Sequence, residues 1–185
     1  NAFGTLALDA NTTGNQNTAV GRHACGGNTT GDGNTGLGHG ALAVATTADY
    51  NTAVGWHSMV TNTTGDNNTA MGRESLEDNT TGERGTAFGA YALTNNTTGD
   101  RNVALGYNAM GNNTTGQYNT AVGAYALDAQ NADHNTAIGY FSMSSNTTGT
   151  YNTAIGDSTL YTNTTGSYNT AVGYQALTSA TTGGN

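Results

Sequence analysis

Glycine returns at one fixed place through the whole chain: Gly4, Gly21, Gly38, Gly55, Gly72, Gly89, Gly106, Gly123, Gly139, Gly156 and Gly173. The interval is 17 residues everywhere except between Gly123 and Gly139, where it is 16. A period of this length, kept over the full sequence, is the signature of a solenoid whose coils bury their apolar side chains only by stacking on one another. Counting Asn17 as position 1 of a unit, the glycine stands at position 5 and the chain divides into eleven units. An invariant glycine there implies a backbone angle or a close approach that a β-carbon forbids, so it marks a corner. The recurring Asn-Thr-Thr-Gly of positions 12 to 15, as in Asn11-Thr12-Thr13-Gly14 and Asn163-Thr164-Thr165-Gly166, marks a second corner through its turn chemistry.

Between the corners, Thr-Ala-Val alternates in the period-2 manner of a strand, and nothing repeats at helical spacing. The expected fold is therefore all-β: a parallel β-solenoid, or β-roll, of about eleven 17-residue coils, rising about 4.8 Å per coil. Large apolar residues recur at position 4 (Val20, Leu37, Val54, Phe88, Leu105, Ile155) and at position 9 (Leu8, Leu42, Met59, Leu93, Leu127, Leu160). Both rows are expected inside the coil. Position 3 is Ala except at Gly36, and position 8 is small, as expected where a second surface comes close. The eighth unit, Asn119 to His134, is one residue short. Residues 1–185 read as a single repeat array without terminal caps, expected to be a segment of a longer protein.

Composition bears on partners. The chain has four Arg, no Lys and a formal charge of −8, so it offers no surface suited to nucleic-acid phosphates or anionic lipid. No apolar run approaches the roughly 20 residues that cross a bilayer. Two large apolar side chains per unit make a thin core, which points to self-association of several rods.

The motifs Asn152-Thr153-Ala154-Ile155-Gly156 and Asn169-Thr170-Ala171-Val172-Gly173-Tyr174-Gln175-Ala176-Leu177 resemble two groups of proteins. One is the head repeat of trimeric autotransporter adhesins. The other, closer, comprises phage and bacterial fibre proteins that carry Asn-Thr-Ala-Val-Gly-Tyr-Gln-Ala-Leu repeats. The resemblance covers essentially the whole chain and implies a left-handed β-roll, a homotrimer or filament, and service as an adhesin head, a fibre shaft or a tail fibre. It implies an extracellular, cell-surface or virion location, a cell-surface or glycan receptor, and no catalysis.

Five consecutive units carry a carboxylate at position 16: Asp32, Asp49, Asp66, Glu83 and Asp100. Stacked about 5 Å apart, neighbours repel by about 0.8 kcal/mol even in water, so such a row invites Ca²⁺ or else forms a hydrated face beside Arg84 and Arg101. No other cofactor is expected. Eight asparagines, Asn11, Asn28, Asn62, Asn79, Asn96, Asn113, Asn146 and Asn163, meet the N-glycosylation pattern and equally suit an inward or turn-capping ladder. His23, His39 and His57 fall in successive units, with His39 expected to face away from the other two because it occupies position 6 rather than 7. Cys25 replaces Leu or Met at position 9, where a thiol acts as a small hydrophobe. Aromatic residues at position 6 (Trp56, Tyr107, Tyr140, Tyr174) and position 17 (Tyr50, Tyr118, Tyr151, Tyr168) form stripes suited to sugars or to packing. Thr12, Thr29, Thr46, Thr63, Thr80, Thr97 and Thr114 form a row of the kind that binds ice, which makes a ligand-binding solenoid for ice, glycan or cation the rival to a structural fibre.

Overall fold

A computed structural model describes residues 1–129 and 131–179; the last residues of the array, to Asn185, lie outside them. Each unit contributes one short strand: β1 (Ala2–Phe3), β2 (Thr18–Val20), β3 (Thr35–Leu37), β4 (Thr52–Val54), β5 (Thr69–Met71) and β6 (Thr86–Phe88). The series continues through β7 (Val103–Leu105), β8 (Thr120–Val122), β9 (Thr136–Ile138), β10 (Thr153–Ile155) and β11 (Thr170–Val172). They stack in sequence order into one parallel sheet of eleven strands, with Ala19 opposite Gly36 and Ala104 opposite Ala121. The fold is the expected β-solenoid.

From β2 onward the strand is three residues long because glycine ends it. Gly106 adopts φ +139°, and a β-carbon on it would lie 2.7 Å from the carbonyl carbon and oxygen of Gly123 in the next coil. Both reasons for an invariant glycine hold at once. Beyond this corner no second strand forms among the described residues. It runs through successive turns, Ala24 N to Gly21 O, Gly26 N to His23 O and Asn28 N to Cys25 O, with left-handed backbone at His23 (φ 58°) and Cys25 (φ 48°). Non-glycine residues seldom take this conformation, which costs roughly 1–2 kcal/mol each. What holds it is bonding between coils all round the circuit, for example Cys25 N to Ala41 O, Gly27 N to Ala43 O and Thr29 N to Thr46 O.

One expectation is corrected. The position-9 row is interior, Leu42, Met59, Leu93, Met110, Leu127 and Leu160 being fully buried, but the position-4 row faces outward. Leu37, Phe88 and Leu105 are 46%, 50% and 44% exposed. Side chains alternate along a strand, and here position 3 takes the inside: Ala53, Ala70, Ala87 and Ala104 are completely buried. The coil is too narrow to hold a large side chain from both walls, so the strand supplies alanine and the opposite turn supplies leucine or methionine.

The rest of the interior is polar. The position-1 asparagines form a buried ladder in which Asn51 N donates to Asn34 Oδ1, Asn68 N to Asn51 Oδ1 and Asn152 N to Asn135 Oδ1. From Asn17 to Asn152, Nδ2 of each reaches across to the second corner of its own unit, as Asn51 does to Gly65 O at 2.9 Å. These ladders satisfy backbone groups that an apolar core would strand, which is how a chain with little hydrophobic surface fills its interior.

The short eighth unit keeps register, Thr120 pairing with Thr136. In regular units the position-13 carbonyl accepts from the coil before it, as Thr29 O does from Thr12 N, Thr13 N and Thr12 Oγ1. In the short unit Asn131 Oδ1 does this work, accepting from Thr114 N, Thr114 Oγ1 and Thr115 N. A side-chain amide substitutes for the missing backbone.

Candidate functional site

The surface of a solenoid is a set of rows, one per position, and each candidate row has a definite geometry. The position-16 carboxylates fold back onto the chain. Asp32 Oδ1 accepts from Asn15 N at 2.6 Å, Asp49 Oδ1 from Asp32 N, Asp66 Oδ1 from Asp49 N and Asp100 Oδ1 from Glu83 N. Glu83 pairs with Arg84 at 3.1 Å, and Arg101 lies 3.8 Å from Asp100. One oxygen of each of these aspartates therefore caps the amide of the coil below, a job that Asp133 does for Gln117 and Ser167 for Thr150 elsewhere in the array. Among the described residues no three His, Cys, Asp or Glu side chains are grouped to hold a metal ion.

The eight sequon asparagines face the coil interior. Asn28, Asn62, Asn79, Asn113, Asn146 and Asn163 are fully buried, Asn96 nearly so, and Asn11 of the first coil partly. Their Nδ2, the atom a glycan would occupy, donates within the turn and, from Asn28, Asn79, Asn96, Asn113 and Asn163, to the preceding rung: Asn79 Nδ2 reaches Gly82 O at 3.0 Å and Asn62 Oδ1 at 2.8 Å. The threonine row is similarly committed, since Thr12, Thr29, Thr63, Thr80 and Thr97 donate their hydroxyl hydrogens to the position-13 carbonyl of the following coil. An ice surface would meet hydroxyls whose hydrogens are already in use.

His39 does not point away from its neighbours. Its ring lies 6.4 Å from that of His23 and 5.4 Å from that of His57, stacked on the latter. Strand alternation fails here because positions 6 and 7 lie in turns, where His23 and His57 are left-handed. From this cluster a band of rings continues along the rod: Trp56 stacks on His57, Arg73 sits over both Trp56 and Tyr91, and Tyr91, Tyr107, Tyr125 and Phe141 follow at 4.9 to 5.7 Å. A second row, Tyr118, His134, Tyr151 and Tyr168, stacks nearly parallel at 4.7 to 5.2 Å, with Arg101 over Tyr118. The ring faces of this row are spent on one another, which leaves edges rather than faces to a sugar.

Cys25 is fully buried, and burial pushes its thiol up to about 12, against a smaller opposing effect of the Gly36 backbone. A neutral, enclosed thiol is no nucleophile.

The outer face of the sheet carries an exposed apolar row. Position 4 presents Phe3, Val20, Leu37, Phe88, Leu105, Ile138, Ile155 and Val172 as exposed side chains, with Val54, Met71 and Val122 partly exposed between them. Thr18, Thr35, Thr52, Thr69 and Thr86 run beside them at position 2. Sequence reasoning placed this row inside because it equated large and apolar with interior; the alternation Thr-Ala-Val, with Ala nearly invariant, was the signal for the opposite reading. No protein-family model, curated protein or solved structure matches this chain.

Proposed function

We propose that the chain is a stretch of an extracellular or virion fibre, a rigid shaft or adhesin head that assembles with copies of itself through the outer face of its sheet and performs no catalysis. The observation that carries the reading is the apolar row at position 4. A continuous stripe of exposed Leu, Ile, Val and Phe along a whole rod is a surface that water disfavours and a second apolar face relieves. Every copy bears the same stripe, so association is homotypic, and a closed cyclic arrangement such as a homotrimer covers each stripe without leaving one bare. The acidic surface suits an assembly that avoids nucleic acid and anionic membrane, and a cell-surface or glycan receptor is the partner such a fibre would present itself to.

Sedimentation velocity across a dilution series tests this. The wild-type chain is expected to sediment as a trimer or larger, and the double variant Ile138→Asp, Ile155→Asp as a monomer with an unchanged β-sheet circular dichroism signal. A wild-type chain that is monomeric at every concentration would overturn the reading.

A further inference from the structure

The band of rings carries a modification site. Tyr107 and Tyr125 occupy adjacent coils with centroids 5.4 Å apart and planes inclined by 71°. Tyr107 is 48% exposed and Tyr125 is partly exposed, so an oxidant reaches both from solvent. The phenol of Tyr125 is held above its ordinary value first by desolvation and then by the charge and hydrogen-bonding of Tyr107. Rings with centroids this close are in contact, so a change of side-chain torsion is all that the coupling of their ortho carbons requires. The solenoid keeps them together permanently, because the main chains on either side are bonded coil to coil: Tyr125 N donates to Tyr107 O at 3.0 Å.

We propose that Tyr107 and Tyr125 are a site of oxidative cross-linking, joined as dityrosine by a one-electron oxidant of the haem peroxidase and hydrogen peroxide class. Each phenol gives one electron to the oxidant and its proton to solvent. The two radicals combine at their ortho carbons, and the two ring hydrogens at the new bond shift to the oxygens and restore both phenols. The balance is two tyrosines and one hydrogen peroxide giving one dityrosine and two waters. Holding the partners in place turns a bimolecular collision between radicals into an intramolecular step, which favours this bond over links between chains. The product staples the coil of β7 to the coil of β8, which is the short unit.

The arrangement sets Tyr107 and Tyr125 apart from Tyr118. Tyr118 lies in the same coil as Tyr107, but its ring contacts are His134 on one side and Arg101 on the other, neither of which couples. Tyr118 is therefore an internal control of comparable exposure, 45%.

Met110 stands between Tyr107 and Tyr125 and is fully buried, which shields its thioether from peroxide. Cyanogen bromide then cleaves the chain there and separates a fragment with Tyr91 and Tyr107 from one with Tyr118, Tyr125 and Tyr140. The dilute wild-type chain, treated with peroxidase and peroxide, is expected to remain one chain in denaturing electrophoresis and to lose the mass of two hydrogen atoms for each bond formed. It should fluoresce as dityrosine and yield the two fragments joined. Tyr125→Phe is expected to lose the joined product and Tyr118→Phe to keep it. Phe141 occupies the same position as Tyr125 in the next unit with the same left-handed backbone, so the Phe variant keeps the fold. Joined fragments at wild-type yield in Tyr125→Phe, or dityrosine found only between chains, would overturn the assignment.

Discussion

A β-carbon placed on Gly36 would lie 2.6 Å from Cys25 Sγ. Gly36 is the sole departure from Ala at position 3, Cys25 is the sole departure from Leu or Met at position 9, and the two meet across the interior between neighbouring coils. One substitution fits the space left by the other.

Gly36→Ala alone is therefore expected to destabilise by about 1–3 kcal/mol through overpacking against the thiol. In a Cys25→Ala background the same change should cost less, with a coupling of roughly 0.5–3 kcal/mol. Urea midpoints of the four proteins give the cycle, and additive effects would show that the two sites do not share one space.

Alkali should weaken the fold through the same thiol. Unfolded, Cys25 ionises near its ordinary value of 9.0; folded, burial holds it at about 12. Between those values the unfolded chain has released a proton that the folded chain keeps. Stability is intact below the lower value and falls as pH rises toward the upper one, by about 1.4 kcal/mol per pH unit. Urea melts of wild type and Cys25→Ala over this range should show the extra slope only in wild type. A thiol reagent should leave native Cys25 unmodified and label it on unfolding.

Gly85 interrupts the buried position-1 ladder. Its amide donates to Asn68 Oδ1 at 2.7 Å, but glycine has no side-chain oxygen to offer to the Asn102 amide above it. A β-carbon there would sit 3.1 Å from Asn68 Oδ1 and 3.5 Å from Leu76 Cδ1, a fit that needs only a slight shift. Gly85→Asn is expected to complete the ladder and stabilise by about 1 kcal/mol, from the added hydrogen bond and the reduced freedom of the unfolded chain. A lower thermal midpoint in the variant would show that the gap is required.

Asp128 works against the fold at neutral pH. Burial raises its carboxyl above the ordinary 3.8, and the donated hydrogen bonds of Asn108 and Asn112 only partly oppose this. A raised carboxyl means that the folded state binds its proton more tightly than the unfolded state. Stability is then lost as pH rises through the window above 3.8. Asp128→Asn keeps an oxygen to accept from Asn108, now 2.6 Å away, and from Asn112. It should raise the melting temperature at neutral pH and make no difference below the ordinary carboxyl value.

Much of the coil was legible in the repeat. Glycine at position 5 predicted both a special angle and a close approach, and Gly106 shows both. The turn at Asn-Thr-Thr-Gly and the interior row at position 9 follow from composition alone. The facing of position 4 did not, because residue size was weighed above alternation: the same three letters, Thr-Ala-Val, put either Ala or Val inside, and only the width of the coil decides. His39 misled for a related reason. Facing rules that hold in a strand were carried into a turn, where Gly38, Gly40 and His57 reset the direction with positive φ. The position-1 asparagines carried a signal, their near invariance, whose meaning depends on Gly65 and Gly82 carbonyls brought opposite them by the second corner of the same unit.

Because the strands lie across the rod, the hydrogen bonds between coils run along it. A pull on the two ends meets the bonds of one coil at a time, as in the peeling of tape, rather than all of them in shear. Each coil released exchanges about 4.8 Å of rod for about 55–60 Å of extended chain. A bare rod would thus yield at modest force and pay out length in equal steps, a load limiter more than a strut. Copies bound along the outer sheet face, or a covalent tie between adjacent coils, would raise the force at which the first step occurs and leave the step size unchanged.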